Sequence, residues 1–367
     1  MRSYKYIFNY LNLHNNSAGT GTFSKNILLG IKKHRPEIID DLVILLNSNS
    51  TKWIDLATRH GFNVYKFNLT NIRPIVNVLS YIIPSFYLKK RSTYFSFIGI
   101  FPLFKAKNSK IITTIHDTIA LQNTQKYQGL RKKLIYFSFR FAILKSDTII
   151  TVSENSRQDL LRNFNLNNKK IKIIPNFTRT NNENKLEING FKSMNKKYFL
   201  FVGNIQPGKN ILSLIKAFHR FIQTKKGYHL IIVGNKSTKH FKEVIALVKK
   251  LNLEKIVSFE GFVEDTSIYY KNSHCFVFPS LYEGFGIPIL EAMKNGCTIA
   301  CSNTSSLPWV AGKTAIYFNP NDVQSICDAL NLSLNSSEVE KRKSNYRKQL
   351  KKFSEEKIIT DFVQALF

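Results

Sequence analysis

The stretch FVFPSLYEGFGIPILEAMKNG, residues 276–296, decides how this chain is read. It begins as a continuous apolar run, as in a strand covered on both faces. A loop holding Glu283, Gly284 and Gly286 follows, and a helix is then entered near Pro288, with Glu291 in its first turns. Two carboxylates eight residues apart thus flank a glycine loop at a strand-to-helix turn. Backbone N–H groups and a helix N-terminus at such a turn attract an anion, and a carboxylate accepts hydrogen bonds from hydroxyl groups. A phosphorylated sugar offers both.

Outward from this stretch, short apolar runs alternate with helical patterns. In the second half, residues 198–202, 229–233, 256–259, 275–278 and 298–300 read as strands, and 210–221, 239–251 and 287–295 as helices. The first half repeats the scheme, with strands at 4–11, 42–46, 63–67, 110–115, 147–152 and 171–174 and helices at 22–33 and 130–144. This alternation implies an α/β protein with parallel sheets covered on both faces. At 367 residues the chain is too long for one typical core. The polar, Asn-rich segment 178–197 lacks periodicity and reads as a linker. The expected organisation is an N-terminal Rossmann-like domain over 1–178, a linker over 179–197, a C-terminal Rossmann-like domain over 198–352, and a helix over 353–367 packing back on the first domain. The two domains are expected to face each other across a cleft, since ligands of open α/β sheets bind beyond the carboxyl ends of the strands.

The net charge is +30, and residues 1–180 hold 28 Lys/Arg against 8 Asp/Glu. Between residues 89 and 145 twelve basic residues accompany one acid, Asp117. A basic surface implies an anionic partner. No zinc-finger spacing, RNP-like aromatic pattern or helix-turn-helix supports nucleic acid. Uncharged runs at 74–88 and 92–104 lie among the basic residues. Both are shorter than the roughly 20 residues that span a bilayer. They suit either a surface dipping into an anionic membrane interface or ordinary core segments. The N-terminus lacks a signal-peptide pattern and reads as a first strand. Cys275, Cys297, Cys301 and Cys327 have no CxxC spacing, which points to a reduced cytoplasmic protein without disulfides or structural zinc.

Three further motifs carry candidate chemistry. FVGNIQPGKN, residues 201–210, places Gly203, Gly208 and Lys209 at the start of a helix. It outlines a phosphate site or a plain strand-to-helix turn. It is neither a P-loop nor a GxGxxG fingerprint, which argues against an ATPase or a dehydrogenase. TIHDT, residues 114–118, puts His116 and Asp117 at the carboxyl end of a strand, where a histidine is structural or hydrogen-bonds a sugar hydroxyl or a carbonyl. AGTGTFSKN, residues 18–26, reads as a glycine loop with Gly19 and Gly21, a tight turn or a close approach to substrate.

In order, FVGNIQPGKNILSLIKAF, the GF pair at 261–262, FPSLYEGFGIPILEAMKNG and SNTSSLPWVAG (302–312), with TIHD and VSENS (152–156) before them, resemble the nucleotide-sugar glycosyltransferases of family four, which have the GT-B fold. The resemblance covers nearly the whole chain, is strongest over 198–320, and is closest to the mannosyltransferase-like branch of bacterial surface-polysaccharide enzymes. It implies retaining transfer of a hexose, mannose favoured, from a nucleoside-diphosphate sugar to a lipid-linked oligosaccharide in lipopolysaccharide O-antigen or capsule synthesis. It implies no cofactor and no metal, and a cytoplasmic enzyme peripheral on the inner face of the cell membrane. By this resemblance Glu291 holds the donor ribose and Glu283 lies beside the donor sugar. Gly284, Phe285 and Gly286 offer backbone N–H groups, and Lys209, following Gly203, neutralises the diphosphate. His116 lies near the transferred sugar, while Gly19, Gly21 and Asp117 belong to the phosphate and acceptor side. The acceptor hydroxyl is expected to attack from the front face, its proton passing to the leaving phosphate. Three positions depart from the family pattern: Asn204 and Gly208 where a basic residue is usual, and Trp309 where an acid is usual. The alternatives are a non-catalytic sugar- or nucleotide-binding module of the same fold, and a transferase using a UDP- or dTDP-sugar.

Overall fold

Every strand in the computed structural model pairs parallel to its neighbours. The structure describes residues 4–13, 19–69, 72–122, 129–166, 170–179, 197–237 and 239–367. They divide into two units, residues 1–179 with 353–367, and residues 180–352. Residues 180–196 of the expected linker lie outside the described residues.

The first unit holds β1 (Tyr6–Asn9), α1 (Gly19–His34), β2 (Leu42–Asn47), α2 (Thr51–Arg59), β3 (Asn63–Phe67), α3 (Arg73–Tyr87), β4 (Thr93–Ser96), β5 (Lys110–Thr114), α4 (Gly129–Lys145), β6 (Thr148–Thr151), α5 (Glu154–Phe164) and β7 (Ile171–Ile173). Its strand order is β3-β2-β1-β4-β5-β6-β7. The second unit holds β8 (Lys197–Val202), α6 (Ile211–Thr224), β9 (Tyr228–Val233), α7 (Lys239–Lys250), β10 (Val257–Gly261), α8 (Ser267–Asn272), β11 (Cys275–Phe278), α9 (Ile287–Lys294), β12 (Ile299–Ser302), α10 (Leu307–Ala311), β13 (Ala315–Phe318), α11 (Val323–Leu332), α12 (Ser336–Lys343) and α13 (Tyr346–Lys351). Its order is β10-β9-β8-β11-β12-β13. Counted within each unit, both sheets begin 3-2-1-4-5-6, the Rossmann order, in which the winding reverses between the first and fourth strands.

The structure decides one open reading and corrects two others. β4 lies within the uncharged run 92–104, and Tyr94, Phe95 and Phe97 are fully buried. That part of the run is core rather than membrane surface, because β4 pairs with β1 and β5 in the middle of the sheet. The first helix begins at Gly19 rather than residue 22, so Gly19 and Gly21 form its first turn instead of a loop. β13 adds an edge strand that the sequence reading did not include.

The last helix, α14 (Glu355–Leu366), belongs to the first unit. The Phe362 ring sits 5.0 Å from Phe95 and 6.1 Å from Phe8. Thr93 Oγ1 donates to the Leu366 carbonyl and Lys110 Nζ to that of Ala365, both at 3.1 Å. Glu355, at the start of the helix, pairs with Arg179 at 2.6 Å. Phe362→Ala leaves a cavity against the central strands, and its expected cost is about 3–5 kcal/mol of stability, measured by urea unfolding.

Candidate functional site

In the second unit the winding reverses between β8 and β11, so the loops leaving these strands flank the crevice where such sheets bind ligands. β8 is followed by Gly203, whose N–H donates to the Val233 carbonyl at 2.9 Å. A Cβ on Gly234 would lie 1.9 Å from the Gly203 carbonyl oxygen, so this edge is close-packed backbone. The sequence reading passed over Gly234, which follows β9 as a lone glycine without a motif.

Lys209 closes a short turn at Pro207–Lys209, and Asn210 beyond it is left-handed with φ +57°. The Asn210 amide donates to the Pro320 carbonyl at 2.7 Å. The Lys209 ammonium forms an ion pair with Glu283 and sits 5.2 Å from the centre of the Phe278 ring. The Gly208 carbonyl accepts from the Leu281 N–H at 2.9 Å. These contacts tie the loop after β8 to the loop after β11 and bring together two residues 74 positions apart.

A row of hydroxyl side chains holds the Glu283 loop in place. The Glu283 N–H donates to Ser305 Oγ at 2.9 Å. Ser306 Oγ lies 2.9 Å from the Glu283 carbonyl and 2.7 Å from that of Phe285, and Thr304 Oγ1 donates to Leu281 at 3.2 Å. Their roles went unread in sequence, although a run of hydroxyl residues leaving a strand is the pattern that ties down neighbouring backbone. Phe285 is buried, with Trp309 edge-on at 6.2 Å. The aromatic at 309 therefore packs on the loop. Gly286 takes φ +107° as α9 begins, and a Cβ there would meet Leu307 at 2.8 Å.

On α9, Glu291 Oε2 accepts from the hydroxyl of buried Tyr270 at 3.0 Å. Burial raises the Glu291 carboxyl above the usual carboxylate range, and the Tyr270 hydrogen bond opposes that rise. Asp265 adds a smaller push upward. With Oε2 occupied, Oε1 remains an acceptor.

In the first unit His116 follows β5. Its Nε2 lies 2.9 Å from the Phe97 carbonyl. A carbonyl only accepts, so Nε2 carries the proton and Nδ1 of the neutral ring is the acceptor. The Phe23 ring of α1 stands edge-on at 5.2 Å. Burial lowers the imidazole pKa to about 4, against which the Phe97 hydrogen bond acts. The ring is thus neutral at pH 7. The VSENS segment supports it: Ser153 caps α5, and Ser156 Oγ donates to the His116 carbonyl at 2.9 Å. Asp117 accepts from the Ile119 N–H at 3.0 Å within a tight turn. Gly19 is exposed and Gly21 buried, one turn before and beside Phe23 on α1.

The four cysteines are buried thiols, each with its pKa pushed up by burial. Among the described residues no group of three His, Cys, Asp or Glu is arranged to hold a metal ion.

The family model "Glycosyl transferases group 1" matches residues 182–353, and "Glycosyltransferase Family 4" matches residues 91–182. O-antigen chain mannosyltransferase B of Escherichia coli is 31% identical over 270 residues, 70% of either chain. The chain belongs to glycosyltransferase family four. A second relative of this family-four glycosyltransferase is the N-acetylgalactosamine-N,N'-diacetylbacillosaminyl-diphospho-undecaprenol 4-alpha-N-acetylgalactosaminyltransferase of Campylobacter jejuni. It is 32% identical over 162 residues, 44% of this chain and 43% of that one. Among solved structures, Anabaena Alr3699/HepE, in complex with UDP and glucose, superposes with a TM-score of 0.76 at 17% identity over 99% of both chains. The fold is GT-B.

The state of His116 gives this glycosyltransferase a measurable pH signature. Its folded pKa of about 4 lies below the unfolded value near 6.5. Between these values the unfolded chain binds a proton that the folded ring refuses, so acidification favours unfolding. The expected loss is about 3 kcal/mol between pH 6.5 and 4, and none above pH 7. His116→Gln removes this dependence. The difference in unfolding free energy between the two proteins, followed against pH, checks it.

Proposed function

We propose that the chain is a retaining mannosyltransferase that moves mannose from a nucleoside-diphosphate sugar to a lipid-linked saccharide during synthesis of a bacterial surface polysaccharide. It works at the inner face of the cell membrane without a resident cofactor or metal. The observation that carries the reading is the Lys209–Glu283 pair at the winding reversal of the second sheet, with Glu291 on the helix that follows. The relatives support the substrate class: one is named as an O-antigen mannosyltransferase, another as acting on a diphospho-undecaprenol saccharide.

In this reading the donor diphosphate takes Lys209 as its counter-ion, and Glu283, released from the pair, turns to the hydroxyl groups of the sugar. The loop at Gly284, Phe285 and Gly286, held by Ser305 and Ser306, borders the same ligand. Donors fixed before charge develops on the leaving phosphate need no reorganisation during the reaction, which is the main electrostatic source of rate. Glu291 Oε1 accepts from the ribose hydroxyls while Tyr270 holds Oε2. On the first unit, His116 Nδ1 accepts a hydrogen bond from a sugar hydroxyl. The acceptor hydroxyl attacks from the face of the leaving group, and the departing phosphate takes its proton.

Radiolabelled-donor assays with GDP-mannose, UDP-glucose and dTDP-glucose on membranes test the class and the donor together; no transfer from any of the three points to a non-catalytic binding module. Glu291→Gln is expected to raise the donor KM by ten-fold or more, an interaction of about 1.5–3 kcal/mol, with little change in melting temperature. Tyr270→Phe removes the bond that opposes the upward shift of Glu291. The acidic limb of the donor-binding profile should therefore move to higher pH, read as donor KM against pH.

A further inference from the structure

Helix α4 has apolar residues on both of its long faces. On one, Ala142 and Ile143 are buried, and Phe139 packs into the cluster of Ile143, Ile149 and Leu160. On the other, Leu130, Leu134, Phe137, Phe141 and Leu144 are 73%, 62%, 50%, 54% and 64% exposed. Their spacing of 4, 3, 4 and 3 residues places them in one continuous stripe. Isolated exposed apolar residues are ordinary, but a contiguous stripe marks an interaction surface.

The charges beside the stripe select the partner. Arg131, Lys133, Arg140 and Lys145 occupy the positions that flank such a seam, and residues 129–145 contain no acid. Two copies of this chain meeting along the stripe would set cation against cation at the flanks, where paired helices place opposite charges. An anionic lipid surface satisfies both parts at once, taking the apolar side chains into its interface and the basic ones at its headgroups. Among the described residues no helix is long and apolar enough to cross a membrane. Phe86 on α3 and Phe104 before β5 are 75% and 71% exposed. Helix α3 thus adds Phe86, and the segment before β5 adds Phe104, to the exposed apolar surface of the first unit.

We propose that α4 is the helix by which this glycosyltransferase docks on an anionic bilayer, with Leu130, Leu134, Phe137, Phe141 and Leu144 immersed and the four flanking cations on the lipid phosphates. The proposal deepens the reading of a membrane-bound acceptor and rests on it. The test is co-sedimentation of the full chain with phosphatidylcholine vesicles, with and without phosphatidylglycerol. The wild type should bind only the vesicles containing phosphatidylglycerol, and less tightly as salt rises. Phe137→Ser with Phe141→Ser, and separately Arg131→Glu with Arg140→Glu, should each weaken binding at least ten-fold. Both pairs should keep the wild-type melting temperature. Unchanged vesicle binding by either pair would overturn the proposal. So would equal binding to both kinds of vesicle, or a wild-type dimer in sedimentation that Phe137→Ser with Phe141→Ser dissociates. A soluble acceptor analogue separates the two readings: transfer to it without vesicle binding overturns docking alone, and vesicle binding without transfer from any donor overturns the transferase reading alone.

Discussion

A parallel sheet delivers the carboxyl end of every strand to one edge, and the rest of this molecule's chemistry depends on that constraint. In the second unit β8 lies between β9 and β11, so the chain leaving β8 and the chain leaving β11 depart beside one another. Lys209 and Glu283 meet for that reason alone. The first sheet has the same reversal between β1 and β4, and its carboxyl edge carries Phe97 after β4 and His116 after β5, joined by one hydrogen bond.

At the Lys209–Glu283 pair the two loops are linked by charge as well as by backbone, since Gly208 accepts from Leu281. A lysine held by a carboxylate and an aromatic face is oriented before any ligand arrives. A doubly charged phosphate group competes with one carboxylate for it on favourable electrostatic terms. The hydroxyl row from Thr304 to Ser306 keeps the Glu283 loop rigid at the backbone, leaving the carboxylate free to change partners. Glu291 is different in kind. It is a half-buried acid whose charge is disfavoured by its surroundings and supported by one tyrosine.

The two units use their surfaces differently. The first carries most of the basic excess and the exposed stripe of α4; the second carries the paired loops. A helix needs only one apolar face to pack on a sheet. The second apolar face of α4 is not used in packing against the sheet.

Much of this was legible in the chain itself. Continuous apolar runs such as 198–202 and 275–278 could only be strands covered on both sides, and their alternation with helical segments required parallel pairing. The order of the glycine, lysine and glutamate motifs was enough to indicate the family, because such turns are local features written in consecutive residues. What only the tertiary structure decided are the relations between distant residues. β4 hid inside a run that resembled a membrane-seeking surface, since its burial comes from pairing with β1, more than eighty residues earlier. The inward turn of Phe285 against Trp309, the partner of Glu283, the hold of Ser305 and Ser306, and the proton on His116 Nε2 each depend on an atom supplied by another loop. Sequence fixes periodicity and local turns because these repeat over a few residues. Hydrogen-bond partners and charge states are set by what the fold brings within about 3 Å, and that distance has no signature along the chain.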